Sequence, residues 1–228
     1  MVHFNKRPTV ADIRAMKTRG EKLSMLYVTT ADEAAAADAA GIHMLSIESR
    51  FMTPEMRAAA GRCFVQVGLP YGGSGSFDGR ALATGEDYLR AAFHYAALGG
   101  DCFYCAASFD IQKLLCDNHI PVVAHVGLIP SYITWTGWRA VGKTAAEALN
   151  LWHQVKKLEE IGCFGAELEV VPDRIAALMS ANTSLVLLGM GAGSGADAQY
   201  LFTEDVLGQT EGHRPRHEPP KSDLRRRQ

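Results

Sequence analysis

Eight short apolar runs alternate with helical or loop segments along this chain, and the alternation restricts the fold more than any other feature. Strands that are apolar on both sides belong in a parallel sheet covered on both faces. Eight such strands predict a (β/α)8 barrel, with a doubly wound open sheet as the alternative because 228 residues is short for a barrel. The runs are "LSMLYV" (23–28), "HMLSI" (43–47), "CFVQV" (63–67), "DCFYC" (101–105), "PVVAHV" (121–126), "AELEVV" (166–171), "LVLLGM" (185–190) and a last short run near "LFTEDV" (201–206).

The segments between the runs carry helix signals. "TVADIRAMKTRG" predicts an additional helix before the first strand. In "TPEMRAAA", Thr53 is a plausible N-cap and Pro54 fits the first helical turn. The stretch "ADAQY", after the glycine-rich "GMGAGSG", is expected to form a helical turn.

Length and apolar content favour one domain over residues 1–212, with two small domains as the alternative. The 47% apolar content supports a sizeable core, and a net charge of −2 argues against nucleic acid or anionic membrane as the main partner. Residues 213–228, "HRPRHEPPKSDLRRRQ", are basic and contain proline, which predicts a flexible tail in preference to a nucleic-acid-binding arm. The sequence shows neither a membrane-spanning apolar run nor a signal-peptide core, so a cytoplasmic protein is expected.

The cysteines are expected to be free thiols. There are five of them, an odd number, which fits a reducing compartment. Cys102 and Cys105 lie in a run that is typical of a strand, where residues i and i+3 point to opposite faces. A shared metal or a disulfide between these two is therefore less expected than a pair of buried side chains.

In a (β/α)8 barrel, catalytic groups lie where the strands end. His125 ends an apolar run, and a histidine there is as consistent with a satisfied core residue as with an active-site residue. "AELEVVP" alternates, so Glu167 and Glu169 share one face; Glu169 is either a desolvated proton carrier or a partner in an ordinary salt bridge. The other polar or special positions at strand ends are Glu48, Ser49, Gly68, Ala106 and "GMGAGSG".

Three motifs, in order and at matching spacing, resemble the ketopantoate hydroxymethyltransferase family. They are the His-x-Gly-x-x-Pro loop in "AHVGLIP", the Leu-Glu-x-Val-Pro strand end in "LEVVP", and the turn "GMGAG". Weaker similarity extends the resemblance over most of residues 24–213. It implies a barrel of the phosphoenolpyruvate-mutase-like type.

The resemblance also implies a reaction. Family members transfer a hydroxymethyl group from methylenetetrahydrofolate to 3-methyl-2-oxobutanoate, an α-keto acid, on the way to pantothenate. A divalent metal such as Mg²⁺ stabilises the enolate, since developing negative charge at neutral pH requires concentrated positive charge. Family members form homo-oligomers, so a homo-oligomer is expected.

Several family positions are matched in this sequence. Glu169 falls on the proton acceptor, His125 and Ser49 on residues that contact the keto acid, and Arg139 on a basic position. Glu48 replaces a metal-binding aspartate and is expected to provide most of the protein's share of metal binding, with waters and substrate oxygens as further ligands.

Other family positions are changed. Gly68 and Ala106 stand where the family has metal-site carboxylates, and Tyr104 stands at the substrate-binding lysine, a role that Arg50 or Arg139 is available to fill. Three alternatives therefore stay open: the family reaction, altered carbon–carbon bond chemistry on another keto acid, and a non-catalytic paralogue.

Overall fold

Eight parallel strands close into a barrel in the computed structural model, which describes residues 7–71 and 75–211. The strands follow one another in chain order, and the first pairs with both the second and the eighth. The predicted (β/α)8 barrel is thus confirmed and the open sheet is excluded. The strands are β1 (Leu23–Tyr27), β2 (Met44–Glu48), β3 (Phe64–Gly68), β4 (Cys102–Tyr104), β5 (Val122–Gly127), β6 (Gly165–Glu169), β7 (Val186–Met190) and β8 (Ala198–Phe202).

Helices surround the barrel, and most begin at a side-chain cap. Thr9, Thr30, Thr84 and Thr144 each form a capping box with an acidic residue three positions later. Thr53 caps its helix ahead of Pro54, as predicted. The helices are α1 (Val10–Thr18), α2 (Ala31–Ala39), α3 (Pro54–Ala59), α4 (Gly85–Ala97), α5 (Phe109–Asp117), α6 (Ile133–Thr136), α7 (Ala145–Glu160), α8 (Asp173–Ala181) and α9 (Thr203–Val206), with 3-10 turns at Ser49–Phe51 and Pro130–Tyr132.

Strand alternation separates two cores. One cluster fills the barrel interior and the other lies between the strands and the surrounding helices. Cys102 belongs to the inner cluster and Cys105 to the outer one, and all five cysteines are free. The predictions of free thiols and of opposite faces for this pair are therefore confirmed.

Helix α1 closes the amino-terminal end of the barrel. Ile13 is fully buried in the inner cluster. Lys17 Nζ donates to the carbonyl of Leu185 at 2.5 Å and to Asp197 Oδ2 at 2.8 Å. The additional helix expected from the sequence therefore covers the amino-terminal end of the barrel and is bonded to residues at that end.

The sequence prediction was wrong at β8. The sequence predicts a helical turn over residues 196–200, but residues 198–200 begin the last strand, which pairs with β1 and β7. Alanine and glutamine there favour a helix locally, and barrel closure overrides that preference because β1 and β7 would otherwise be left as open edges.

The basic tail, residues 213–228, lies outside the described residues. None of the helices in the described ranges combines the length and the apolar content that crossing a membrane demands.

Candidate active site

The carboxyl-terminal ends of the strands surround a cavity of about 460 Å³, which we call the mouth cavity. All the site residues predicted from the sequence line it except Arg139. The structure therefore brings together side chains from β2, β4, β5 and β6 that lie far apart in the chain. The cavity lining includes Tyr27, Glu48, Ser49, Arg50, Tyr71, Tyr104, His125, Glu167, Glu169 and Tyr200.

His125 occupies the centre of the site. Its side chain is only 2% exposed and faces the barrel interior rather than the helices. Nδ1 hydrogen-bonds with the Tyr104 hydroxyl at 2.9 Å and lies 3.6 Å from Glu167 Oε2. Nε2 lies 3.2 Å from Glu169 Oε2, but without hydrogen-bond geometry, so this buried nitrogen has no hydrogen-bond partner among the described residues. An unpartnered buried nitrogen at a cavity wall is available to a ligand.

Glu167 is a site residue that the sequence analysis did not select. It pairs in register with His125, and it accepts a hydrogen bond at 2.7 Å from Gln66 Nε2 across the barrel. Burial raises the pKa of Glu167 to about 7, against the opposing influence of His125. The alternation in "AELEVVP" already placed Glu167 on the same face as Glu169, and that was the available signal.

The backbone around Glu169 is strained, and neighbouring strands hold it. Val170, the next residue, has φ of 48°, which is rare for a β-branched side chain. Its N–H donates to the carbonyl of Met190, and Glu169's own carbonyl accepts from Leu128. At Gly127 a side chain would lie 2.3 Å from the carbonyl oxygen of Glu169, so only glycine permits this approach of β5 to β6. Strain of this kind is common at functional sites.

Tyrosine side chains form much of the remaining wall. The rings of Tyr71 and Tyr104 meet edge to face at 5.4 Å. Burial raises the pKa of Tyr104 and of Tyr200 well above the ordinary value, so both hydroxyls keep their protons at neutral pH. These groups therefore act as neutral hydrogen-bond donors toward the cavity or toward their neighbours.

Glu48 does not have the surroundings of a metal ligand. Its Oε1 accepts from the Tyr27 hydroxyl at 2.7 Å, and its Oε2 lies 2.7 Å from Arg50 Nε. Gly68, its register neighbour on β3, has no side chain to contribute. Within residues 7–71 and 75–211, no three histidine, cysteine or acidic side chains converge as a metal site. The donor set thus does not fit the Mg²⁺ expected at Glu48, because that ion requires a nearly octahedral set of oxygens.

Arg139 lies away from the mouth cavity. Its Nη1 is 2.6 Å from Glu147 Oε1, and it lines a neighbouring cavity of about 640 Å³. His125 borders both cavities. The structure therefore does not place Arg139 together with the other predicted substrate-binding residues.

Comparison with solved structures agrees with this architecture. A 2,3-dimethylmalate lyase, described as a member of the PEP mutase/isocitrate lyase superfamily, superimposes with a TM-score of 0.59 at 11% identity, covering 87% of this chain and 82% of that one. Phosphoenolpyruvate phosphomutase from Streptomyces platensis subsp. rosaceus gives a TM-score of 0.54 at 11% identity, with 86% and 80% covered. At such low identity these likenesses establish the (β/α)8 barrel fold alone.

Comparison of sequences is more specific. The family described as ketopantoate hydroxymethyltransferase matches residues 48–226. The 3-methyl-2-oxobutanoate hydroxymethyltransferase of Streptomyces coelicolor is 30% identical, with 98% of this chain and 82% of the relative covered. That of Parabacteroides distasonis is 29% identical, with 94% and 85% covered. The chain belongs to the ketopantoate hydroxymethyltransferase family.

Proposed function

We propose that this protein transfers a hydroxymethyl group from methylenetetrahydrofolate to 3-methyl-2-oxobutanoate. The observation that carries the proposal is the arrangement of Glu169, His125 and Tyr104 at one barrel mouth, in a chain of this family. A base beside a hydrogen-bond donor is what proton abstraction next to a carbonyl requires.

Glu169 is the proposed base. Its carboxylate takes the proton from C3 of the keto acid, and the C–H electron pair becomes the C2–C3 double bond of an enolate. In this mechanism the Tyr104 hydroxyl donates to His125 Nδ1, 2.9 Å away, and His125 then carries its own proton on Nε2, next to Glu169. The Nε2–H then donates to the enolate oxygen. Ser49, 7% exposed at the end of β2, is positioned to contact the keto acid.

The second half of the reaction forms the new carbon–carbon bond. When bound, methylenetetrahydrofolate supplies a one-carbon unit at the oxidation level of formaldehyde; water hydrolyses it to formaldehyde, and tetrahydrofolate leaves. C3 of the enolate then bonds to the formaldehyde carbon while C2 becomes a keto carbon again, and the former formaldehyde oxygen takes the proton held by Glu169 and becomes the hydroxyl. The described residues around Glu48 do not fit a divalent metal, since both oxygens of its carboxylate are engaged by Tyr27 and Arg50.

The neighbouring cavity is the proposed entry for the co-substrate. At about 640 Å³ it has room for a bicyclic heteroaromatic ring, and it reaches His125. The amide side chains of Gln112, Asn150 and Gln154 line it, beside the ring of Phe109. Gln112 is buried, and its Oε1 has no hydrogen-bond partner in the described part of the chain. Such groups suit the hydrogen-bonding edge and the flat face of a pterin.

The test separates the two halves of the reaction. Purified protein is incubated with 3-methyl-2-oxobutanoate in D₂O, and loss of the C3 proton is followed by NMR; methylenetetrahydrofolate is then added and product formation is measured. Exchange followed by product formation supports the proposal. Absence of both reactions overturns it.

Assembly into a homo-oligomer and a cytoplasmic location belong to the same proposal, since both accompany the family resemblance. Size measurement by light scattering tests the first, and fractionation of the source cells tests the second.

A further inference from the structure

The mouth cavity is rich in carboxyl groups and poor in cations. Of the described residues that line it, four are glutamates, one is arginine and none is lysine. An anionic substrate entering such a cavity is repelled unless a fixed cation receives it. The glutamates are Glu48, Glu167, Glu169 and Glu204, and the arginine is Arg50.

Arg50 is held in place before any substrate arrives. Its Nε lies 2.7 Å from Glu48 Oε2, and its Nη2 donates to Glu48 Oε1 at 3.2 Å. The guanidinium also stacks over the ring of Phe51, with Cζ 4.6 Å from the ring centroid. Tyr27 donates to the same Glu48 carboxylate at 2.7 Å and fixes it in turn.

This arrangement leaves a second binding edge on Arg50. A guanidinium offers five N–H groups, and Glu48 occupies the edge formed by Nε and Nη2. The edge formed by Nη1 and Nη2 fits another carboxylate in a two-point contact. The Arg50 side chain is 62% exposed, so a small solute reaches it from the open end of the barrel.

The same contacts exclude the role expected of Glu48. Both oxygens of its carboxylate are already engaged by Arg50 and Tyr27. A Mg²⁺ ion there would have to displace the guanidinium, and Gly68 beside it offers no replacement ligand.

We propose that Arg50, fixed on Glu48, binds the carboxylate of the keto acid and that enolate formation in this protein requires no divalent cation. The inference rests on the proposed function, and it reassigns Glu48 from metal ligand to positioning residue. The substrate carboxylate contacts Arg50, and the keto oxygen receives the Nε2–H of His125. The charge that a metal supplies is thereby replaced by one fixed guanidinium and one hydrogen bond.

The deuterium-exchange assay tests this directly. The full chain is treated with EDTA and desalted, and C3 exchange of 3-methyl-2-oxobutanoate is measured with EDTA and with added Mg²⁺. We expect rates that agree within about twofold, and calorimetric titration with MgCl₂ alone is expected to show no binding.

Two substitutions test Arg50. Arg50→Gln is expected to raise KM for the keto acid more than tenfold with a smaller change in kcat, and Arg50→Lys is expected to restore part of the loss. Arg90→Gln, which removes an exposed arginine paired with Asp87 on α4, is the matched control and is expected to leave KM unchanged. Circular dichroism checks that each variant is folded.

The outcomes separate this inference from the proposed function. Exchange that appears only with Mg²⁺ overturns the inference and supports the proposed function. Metal-free exchange with an unchanged KM in Arg50→Gln shows that another group binds the carboxylate and overturns the role of Arg50. Exchange under neither condition overturns the proposed function, and this inference with it.

Discussion

Two glutamates on one face of β6 differ in how far their side chains are buried. Glu167 is the more deeply buried of the two in the cavity lining, and that burial raises its pKa to about 7. Glu169 lies two residues further on, with 19% of its side chain exposed at the cavity wall. Near neutral pH, Glu167 is therefore partly protonated, whereas the carboxylate of Glu169 is the more exposed of the two toward the cavity. This difference in burial favours Glu169 over Glu167 as the proposed base.

Replacing Glu169 by glutamine removes the base while preserving the size of the side chain. We expect kcat for C3 exchange to fall about 10³-fold with little change in KM, a magnitude typical for loss of a general base. Glu160→Gln, at an exposed carboxylate paired with Lys157, is the control. Exchange by Glu169→Gln at the wild-type rate would exclude Glu169 as the base.

At the scale of residues, sequence reasoning located the groups that end a strand. Glu48, Ser49, His125 and Glu169 were selected because the functional residues of (β/α)8 barrels lie at the carboxyl-terminal ends of the strands. Gln66 was not found, since one polar residue within an apolar run gives no sign of its partner across the barrel. The pairing of Arg50 with Glu48 depends on the 3-10 turn after β2, which strand periodicity does not describe.

At the scale of elements, the contact between β5 and β6 sets the position of Glu169. Gly127 pairs in register with Glu169, and it has φ of 94°. Any side chain at Gly127 meets the backbone of Glu169, which cannot move without shifting β6. The geometry of the site is therefore determined partly by a residue that contributes no functional group.

Replacing Gly127 by alanine is expected to lower the free energy of unfolding by about 3 kcal/mol, through backbone strain plus the contact with Glu169. Gly41→Ala is a matched control, because Gly41 has φ of 78° with nothing near the added carbon. Strain alone there is expected to cost about 1 kcal/mol. Urea denaturation measures both, and equal losses would contradict the close-approach argument.

The strands that sequence reasoning located best are those with long apolar runs. β2, β3, β5 and β7 were found because burial on both faces requires such runs. The predicted position of the last strand, near residues 201–206, is too far along the chain. The exposed Gln199 and its helix-favouring neighbours interrupt the apolar pattern where β8 begins. Residues 198–202 become a strand because they pair with β1, which lies near the other end of the sequence. A local sequence pattern carries no information about such a distant partner.

At the scale of the whole molecule, the buried Glu167 links stability to pH. Its carboxyl binds a proton more tightly in the folded protein, with a pKa of about 7, than in the unfolded chain, where 4.5 is the reference. The stabilisation is therefore fully present below about pH 4.5 and is lost as pH rises through 7.

Glu167→Gln isolates this effect, because glutamine keeps the shape and stays neutral. The free energy of unfolding of the wild type is expected to fall by about 3 kcal/mol relative to Glu167→Gln between pH 4.5 and 8. Chemical denaturation of both proteins across this range provides the measurement. Parallel pH profiles for the two proteins would contradict a raised pKa at Glu167.

Because α1 closes the amino-terminal end of the barrel, the order in which the chain is synthesised affects how it can fold. Lys17 contacts Leu185 and Asp197, which follow it by 168 and 180 residues, and β1 pairs with β8. As the chain leaves the ribosome, α1 and the edge of β1 that pairs with β8 stay without these partners until almost the entire barrel has emerged. The nascent protein thus carries an unpaired strand edge through most of translation, the period in which such edges are most prone to aggregate.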